Sequence, residues 1–262
     1  MVPLEDDAVV LRRIPYRESS LVVHLLTRHH GVIPAMAKGV RAQNKGTARA
    51  ALAGWHTLRI QGRARDWGDM ALLTGAETVK SRPQLLAAPL ASAAGEVMRE
   101  ALQRHAAPGD PQPLLFLLLD ETLDRLERGD PPLPTLARAL TLLLHRLGYG
   151  WQWERCGGCG APEPSAFLSL KHGQGLCRRC GEGRARRSPA LSPTLALAMR
   201  RLAREEEITL SSVQEWMLLL RLAAASIGWR GGGQPLASAE CFRRMLEPSH
   251  PSTPMTSRNL VR

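Results

Sequence analysis

Two Cys-x2-Cys pairs, Cys156-Gly157-Gly158-Cys159 and Cys177-Arg178-Arg179-Cys180, stand seventeen residues apart, and no other feature of the sequence restricts local folding as tightly. Two residues between cysteines let a tight turn aim both sulfurs at one ion about 2.3 Å away, and a spacer of roughly 15 to 20 residues lets a second turn close the tetrahedron. Gly157 and Gly158 give the first turn its backbone freedom, and Gly160 and Gly181 follow the two pairs. Four thiolates leave no position for water. A zinc ion held by Cys156, Cys159, Cys177 and Cys180 is therefore expected to be structural rather than catalytic, with His172 a spectator. A redox dithiol and simple packing cysteines are the other readings. The fifth cysteine, Cys241, reads as a buried small hydrophobe.

The first thirty residues carry Glu5, Asp6 and Asp7 and lack the basic start and apolar centre of a secretory signal, so a cytoplasmic protein without disulfides is expected. The longest purely apolar run, Leu114 to Leu119, falls far short of the roughly 20 residues that cross a bilayer, so no membrane association is expected. A chain of 262 residues with 44% hydrophobic content can build its core without disulfide support.

The net charge of +11 is local. Residues 1–80 carry +5 and residues 171–204 carry +8, whereas 81–170 carry −2 and 205–262 are neutral. Between Ala8 and Arg65 the one acid is Glu18, against eleven basic residues. Such blocks suit a polyanion, and phosphates are the natural partner; a solvated, arginine-rich surface is the plain alternative. Around the second cysteine pair, Arg178, Arg179, Arg184, Arg186 and Arg187 could contact phosphates or offset the dianion formed by four thiolates and one zinc.

Short strands are predicted over Asp7–Arg12, Leu21–Thr27, Val32–Lys38, Trp55–Gln61 and Asp69–Val79, separated by Gly, Pro and polar clusters. Five strands in so short a stretch imply a small closed barrel, OB-like or SH3-like. After Pro83 the period changes to that of helices. Leu90, Ala94, Val97, Met98, Ala101 and Leu102 form one stripe, and Leu136, Leu140, Leu143, Leu144 and Leu147 a second, stopped by Gly148. Further helices start at Pro193 and at Ser212. These stripes read as core rather than as a cofactor box. Asp120, Glu121, Asp124 and Glu127 read as a solvated helix face or a docking side for a basic partner, and Asp66 and Asp69 as solvated turn residues. The domains expected are thus a barrel over 1–80, a helical domain over 81–247 with the zinc insertion at about 151–187, and a flexible Pro/Ser/Thr-rich tail over 248–262. The fold class is α+β and multidomain.

Phosphate loop, dinucleotide fingerprint, HExxH and nucleophile elbow are all missing from the sequence, and nothing nominates a catalyst. Aromatic residues make up 4% of the chain, and the barrel offers Tyr16, Trp55 and Trp67 for base stacking. Binding should then lean on phosphates, with strong salt dependence and little sequence preference.

Several short segments, in order, carry a likeness to a known family. Tyr16-Arg17-Glu18-Ser19-Ser20-Leu21-Val22, then Thr27 with Gly31, then Ala37-Lys38-Gly39-Val40-Arg41, then Leu147-Gly148-Tyr149 ahead of Cys156 together resemble the bacterial RecO family of DNA repair and recombination mediators, over about residues 5–245. The resemblance implies an N-terminal OB-fold barrel followed by a helical domain with a zinc knuckle. It implies a non-enzymatic protein that binds single- and double-stranded DNA, anneals complementary strands, and works with RecR to load RecA on strands coated by the single-strand binding protein SSB. The acidic tail of SSB would dock on the helical domain and RecR on the barrel, where Lys38 and Arg41 are candidates for RecR or DNA. Lys45, Arg49, Arg59, Arg63 and Arg65 join them as candidate DNA contacts, with Arg178, Arg179, Arg184, Arg186 and Arg187 at the knuckle. Two rival readings stay open: a zinc-ribbon RNA-binding or ribosome-associated protein, and an architectural scaffold whose arginines meet acidic protein tails.

Overall fold

The computed structural model describes residues 2–40, 50–66, 69–162, 166–183 and 188–247. The expected tail over 248–262 lies outside the described residues.

Strands β1 (Val2–Tyr16), β2 (Ser20–Thr27), β3 (Val32–Ala37), β4 (Thr57–Ala64) and β5 (Ala71–Lys80) close into a barrel in the order β1-β2-β3-β5-β4. All neighbours are antiparallel except β3 and β5, an OB-like arrangement. Alternation along β4 follows from its sequence: Leu58, Ile60 and Ala64 face the barrel interior, where they meet Val10, Val23, Leu25, Ile33 and Ala35, while Arg59, Gln61 and Arg63 are exposed.

β1 runs further than the apolar pattern predicts, in both directions. It pairs with β4 over Val2–Val9 and with β2 over Ala8–Tyr16, with a register shift between Val10 and Arg12. Its acidic start is held in the sheet because Asp6, although buried, is fully partnered. Its carboxylate accepts from the backbone N–H groups of Asp7 and His29 and lies 2.9 Å from Nδ1 of both His29 and His30. Thr27 closes the turn beyond, its Oγ1 donating to the carbonyl of Gly31 at 2.8 Å. Gly31 itself has φ +68, and a Cβ there would lie 2.0 Å from the Asp110 carbonyl oxygen, so the barrel and a loop of the helical domain approach each other where no side chain fits.

The helical part comprises α1 (Pro83–Ala87), α2 (Pro89–His105), α3 (Pro113–Glu127), α4 (Pro132–Arg146), α5 (Arg178–Glu182), α6 (Pro193–Leu202), α7 (Val213–Arg230) and α8 (Ala237–Leu246). Five of these begin on proline, whose fixed φ and missing N–H suit the first helical turn. Ser192 and Ser212 cap α6 and α7 by accepting from Leu195 N and Gln214 N. The predicted stripes on α2 and α4 are buried apart from the half-buried Leu90 and Leu147, the latter just past the end of α4, and α4 packs against α2, α3 and α7.

The helical core continues onto the barrel's outer surface through Val9, Leu11, Leu26, Val32 and Trp55. Here the structure corrects an expectation. Trp55 is 4% exposed and lies under the Arg99 guanidinium, 3.7 Å from its ring centroid, so it is not available to a base. Of the α3 carboxylates Glu121 alone is exposed; the others dock basic and N–H groups of the same chain, as the second of the two readings has it. Asp120 and Asp124 bind Lys80 at 2.5 and 2.9 Å and Arg82 at 2.6 Å each, Thr57 Oγ1 donates to Asp120 at 2.5 Å, and Glu127 accepts the N–H groups of Gln84 and Leu85. Cys241 departs from its expected burial and is exposed on α8.

Candidate functional site

The four cysteines come together through local turns. The backbone of Gln152 runs beside the hairpin of β6 (Phe167–Ser169) and β7 (Gln174–Leu176), with Gln152 N donating to Gly173 O at 2.8 Å and Gly175 N to Gln152 O at 2.9 Å. The Cys156 turn is closed by Gly160 N donating to Cys156 O at 2.8 Å, and Cys177 sits at the N-cap of α5, so that α5 carries Cys180 back towards the first pair. All four sulfurs lie within 4.8 Å of one another, and this is the one such metal-ligating group among the described residues. A tetrahedron with zinc–sulfur bonds of about 2.3 Å has edges of about 3.8 Å. The Cys159–Cys177 sulfur separation is 3.8 Å.

The surroundings fit a cation held by thiolates. Burial opposes ionisation of Cys156, but N–H groups of Cys177, Gly158 and Cys159 directed at its sulfur outweigh that and bring the thiol down to about 6. Hydrogen bonding from Cys180 to the neighbouring sulfurs of Cys159 and Cys177 pushes Cys180 up to about 12, with burial and the charge on Cys156 adding to it. Space is equally restricted: a Cβ on Gly158 would lie 2.9 Å from Cys180 Sγ, and one on Gly181 would lie 2.1 Å from the Phe167 ring. The module rests on the helical core through Leu168 and Leu191 and through Trp151, whose Nε1 donates to Ser226 Oγ of α7 at 3.2 Å.

Of the candidate DNA contacts, the structure places Lys38 on an exposed turn after β3, Arg63 and Arg65 exposed on and just after β4, and Arg178 and Arg179 exposed on α5. None of these five forms an ion pair among the described residues. Arg59 differs. Its Nε donates to Asp7 at 2.6 Å and Nη1 lies 4.0 Å from Glu5, contacts that raise its pKa through the Asp7 hydrogen bond first. Arg41, Lys45, Arg49, Arg184, Arg186 and Arg187 lie outside the described residues, as does Trp67. Tyr16 remains exposed. No helix among the described residues is long and apolar enough to cross a membrane.

Between α7 and α8 runs an open groove with Met217, Leu220 and Leu236 on its floor and Arg221 and Arg243 on its rim. Arg243 is paired with Glu240 and Glu247, whereas Arg221 has no ion pair among the described residues. Nothing in the sequence pattern of α7 alone marks this groove, because α8 supplies its second wall.

Comparison with known proteins gives a consistent result. Residues 1–82 match the family model described as recombination protein O N terminal, and residues 86–240 match the one described as recombination protein O C terminal. The chain is similar to the DNA repair protein RecO of Stenotrophomonas maltophilia, 32% identical over 230 residues that cover 87% of this chain and 93% of that protein. It is also similar to the RecO proteins of Myxococcus xanthus, 35% identical over 76% of this chain and 80% of the relative, and of Anaeromyxobacter, 34% identical over 73% and 76%.

Proposed function

The chain belongs to the RecO family of DNA repair proteins, and from that premise we propose that it is a non-enzymatic mediator of recombination in the bacterial cytoplasm, acting on single- and double-stranded DNA. The observation that carries the reading is the presence of exposed cations on two separate parts of one chain: Lys38, Arg63 and Arg65 on the barrel, Arg178 and Arg179 beside the cysteine cluster. Two basic surfaces can neutralise the phosphates of two strands at once, which removes the repulsion that opposes their pairing. Arg41, Lys45, Arg49, Arg184, Arg186 and Arg187 extend the same two blocks in sequence, and Arg59 joins them with part of its charge shared with Asp7.

In this reading Cys156, Cys159, Cys177 and Cys180 hold a structural zinc ion, which supplies a fixed tetrahedral cross-link and no reactive position. RecR contacts the barrel near Lys38 and Arg41, RecA is loaded indirectly, and the acidic tail of SSB lies in the groove between α7 and α8, where Arg221 meets its charge. Arg221→Glu is expected to slow association with an SSB-tail peptide and weaken it by about tenfold, read by fluorescence anisotropy. An unchanged affinity would place the tail elsewhere.

The function itself is tested by annealing complementary DNA strands pre-coated with SSB, with and without the protein, at two salt concentrations. Acceleration that fades as salt rises is the expected result. Binding of naked strands without acceleration, or a clear preference for RNA, would overturn the mediator reading.

A further inference from the structure

One part of the barrel surface sets Tyr16 among basic and aliphatic groups that lie outside the DNA contacts assigned above. Beyond Val9, β1 parts from β4 and pairs with β2 alone, which sets Arg12 opposite His24, Ile14 opposite Val22 and Tyr16 opposite Ser20. β2 in turn sets His24 opposite Pro34 and Val22 opposite Met36 on β3. Opposed residues share a face of the sheet. This face is the outer one, because the alternate residues Val23, Leu25, Ile33 and Ala35 fill the barrel interior.

Only one end of that outer face is covered. Val9, Leu26 and Val32 lie beneath the helical domain, but past the register shift at Leu11 the same face emerges with Ile14 36% and Tyr16 42% exposed and Arg12 exposed beside them. Arg17 follows in the turn with φ +50, a conformation that residues other than Gly, Asn and Asp seldom adopt, and its guanidinium sits 5.4 Å from the Tyr16 ring centroid. With Trp55 buried under Arg99, Tyr16 is the exposed barrel aromatic among the described residues. Glu18 is the sole acid in this stretch of the sequence, so the local charge favours a polyanion over an acidic or neutral peptide groove's usual occupants.

We propose that this open face is a stacking site for unpaired bases of single-stranded DNA. Tyr16 takes a base on its ring, Ile14 and Met36 border it above the buried Val22, and Arg12 holds the adjoining phosphates. The inference rests on the DNA-binding reading above and deepens it: a duplex keeps its base faces stacked internally, so this contact distinguishes one strand from two.

The test uses the full chain with a labelled oligothymidylate and a labelled blunt duplex, read by anisotropy. Tyr16→Ala is expected to raise Kd for the single strand by about five- to a hundredfold while leaving the duplex within about twofold, and Tyr16→Phe to retain near-normal affinity. Arg12→Ala should lower the salt slope for the single strand by about 0.7. Thermal unfolding of each variant establishes that the barrel is intact. Unchanged single-strand affinity in Tyr16→Ala, or an equal loss on both substrates, overturns the stacking site while the wider reading stands. Failure of the wild-type chain to bind either DNA overturns both.

Discussion

Cys177→Ser, or removal of the metal by a strong chelator, will unfold the cysteine module while the barrel stays folded. The module has little else to hold it. Among the described residues its regular structure amounts to two three-residue strands and the five-residue helix α5, and so small a unit buries too little apolar surface to offset the entropy of ordering its chain. In zinc-finger peptides the ion contributes about 10–16 kcal/mol of apparent binding energy at neutral pH, all of it available only to the folded form. Deleting one of four ligands forfeits much of that. The measurement is hydrogen exchange by mass spectrometry, where backbone groups such as Gly157 N, Gly175 N and Gly181 N, each now hydrogen-bonded, should lose protection. Metal content should fall in parallel from about one ion per chain. The loss should spread into the helical domain through Trp151, Leu168 and Leu191, which belong to both. Because thiols must lose their protons to bind, acidification should release the ion and produce the same exchange pattern without any substitution. Undiminished protection after complete metal removal would sink the structural assignment.

What the sequence made legible here is what depends on neighbours along the chain. The ligand spacing of Cys156, Cys159, Cys177 and Cys180 is a property of two turns, and the alternation of Leu58 and Ile60 or the stripe of Leu136, Leu140 and Leu143 is a property of one strand or one helix. What stayed hidden depends on which outer face of the barrel the helices cover. Trp55 read as a stacking candidate because the predicted strand over Trp55–Gln61 includes it, whereas β4 begins at Thr57 and the packing of α2 makes Trp55 core. Asp6 lay outside the predicted first strand because the partners that hold it in the sheet, His29 and His30, come from a different turn. The same long-range fact cuts the other way for Tyr16, which the helices leave uncovered. Arg59 was legible as an exposed cation, but the register that brings Asp7 opposite it was not.

Arg82→Met should be the most destabilising single substitution at the junction between barrel and helices. Arg82 is 1% exposed. Its Nε and Nη2 donate to Asp124 at 2.8 and 2.6 Å, Nη2 also reaches Asp120 at 2.6 Å, and Nη1 donates to Trp55 O at 3.1 Å and Thr57 Oγ1 at 3.0 Å. A planar guanidinium can satisfy all of these at once, and no other side chain can. Methionine fills the volume but leaves Asp120 buried with half its counter-charge, and breaking a buried pair in this way costs about 3–5 kcal/mol. For a chain of this size that corresponds to a fall in Tm of roughly 6–20 °C. The pH dependence gives an independent check. Burial raises the Asp120 pKa, but Lys80, Thr57 and Arg82 together outweigh it and hold the carboxyl below its ordinary 3.8. A carboxyl depressed in the folded state contributes stability that is complete above 3.8 and is lost as pH falls through the lower, folded value. The gap between wild type and Arg82→Met should therefore be full at neutral pH and close in acid below that point. Arg82→Lys keeps one charge but loses the fork to Trp55 and Thr57, and should fall between the two. A denaturant titration that finds Arg82→Met within about 1 kcal/mol of wild type would class the network with weak surface pairs, and the barrel would then be held to the helices chiefly by the apolar contacts of Val9, Leu11, Leu26, Val32 and Trp55.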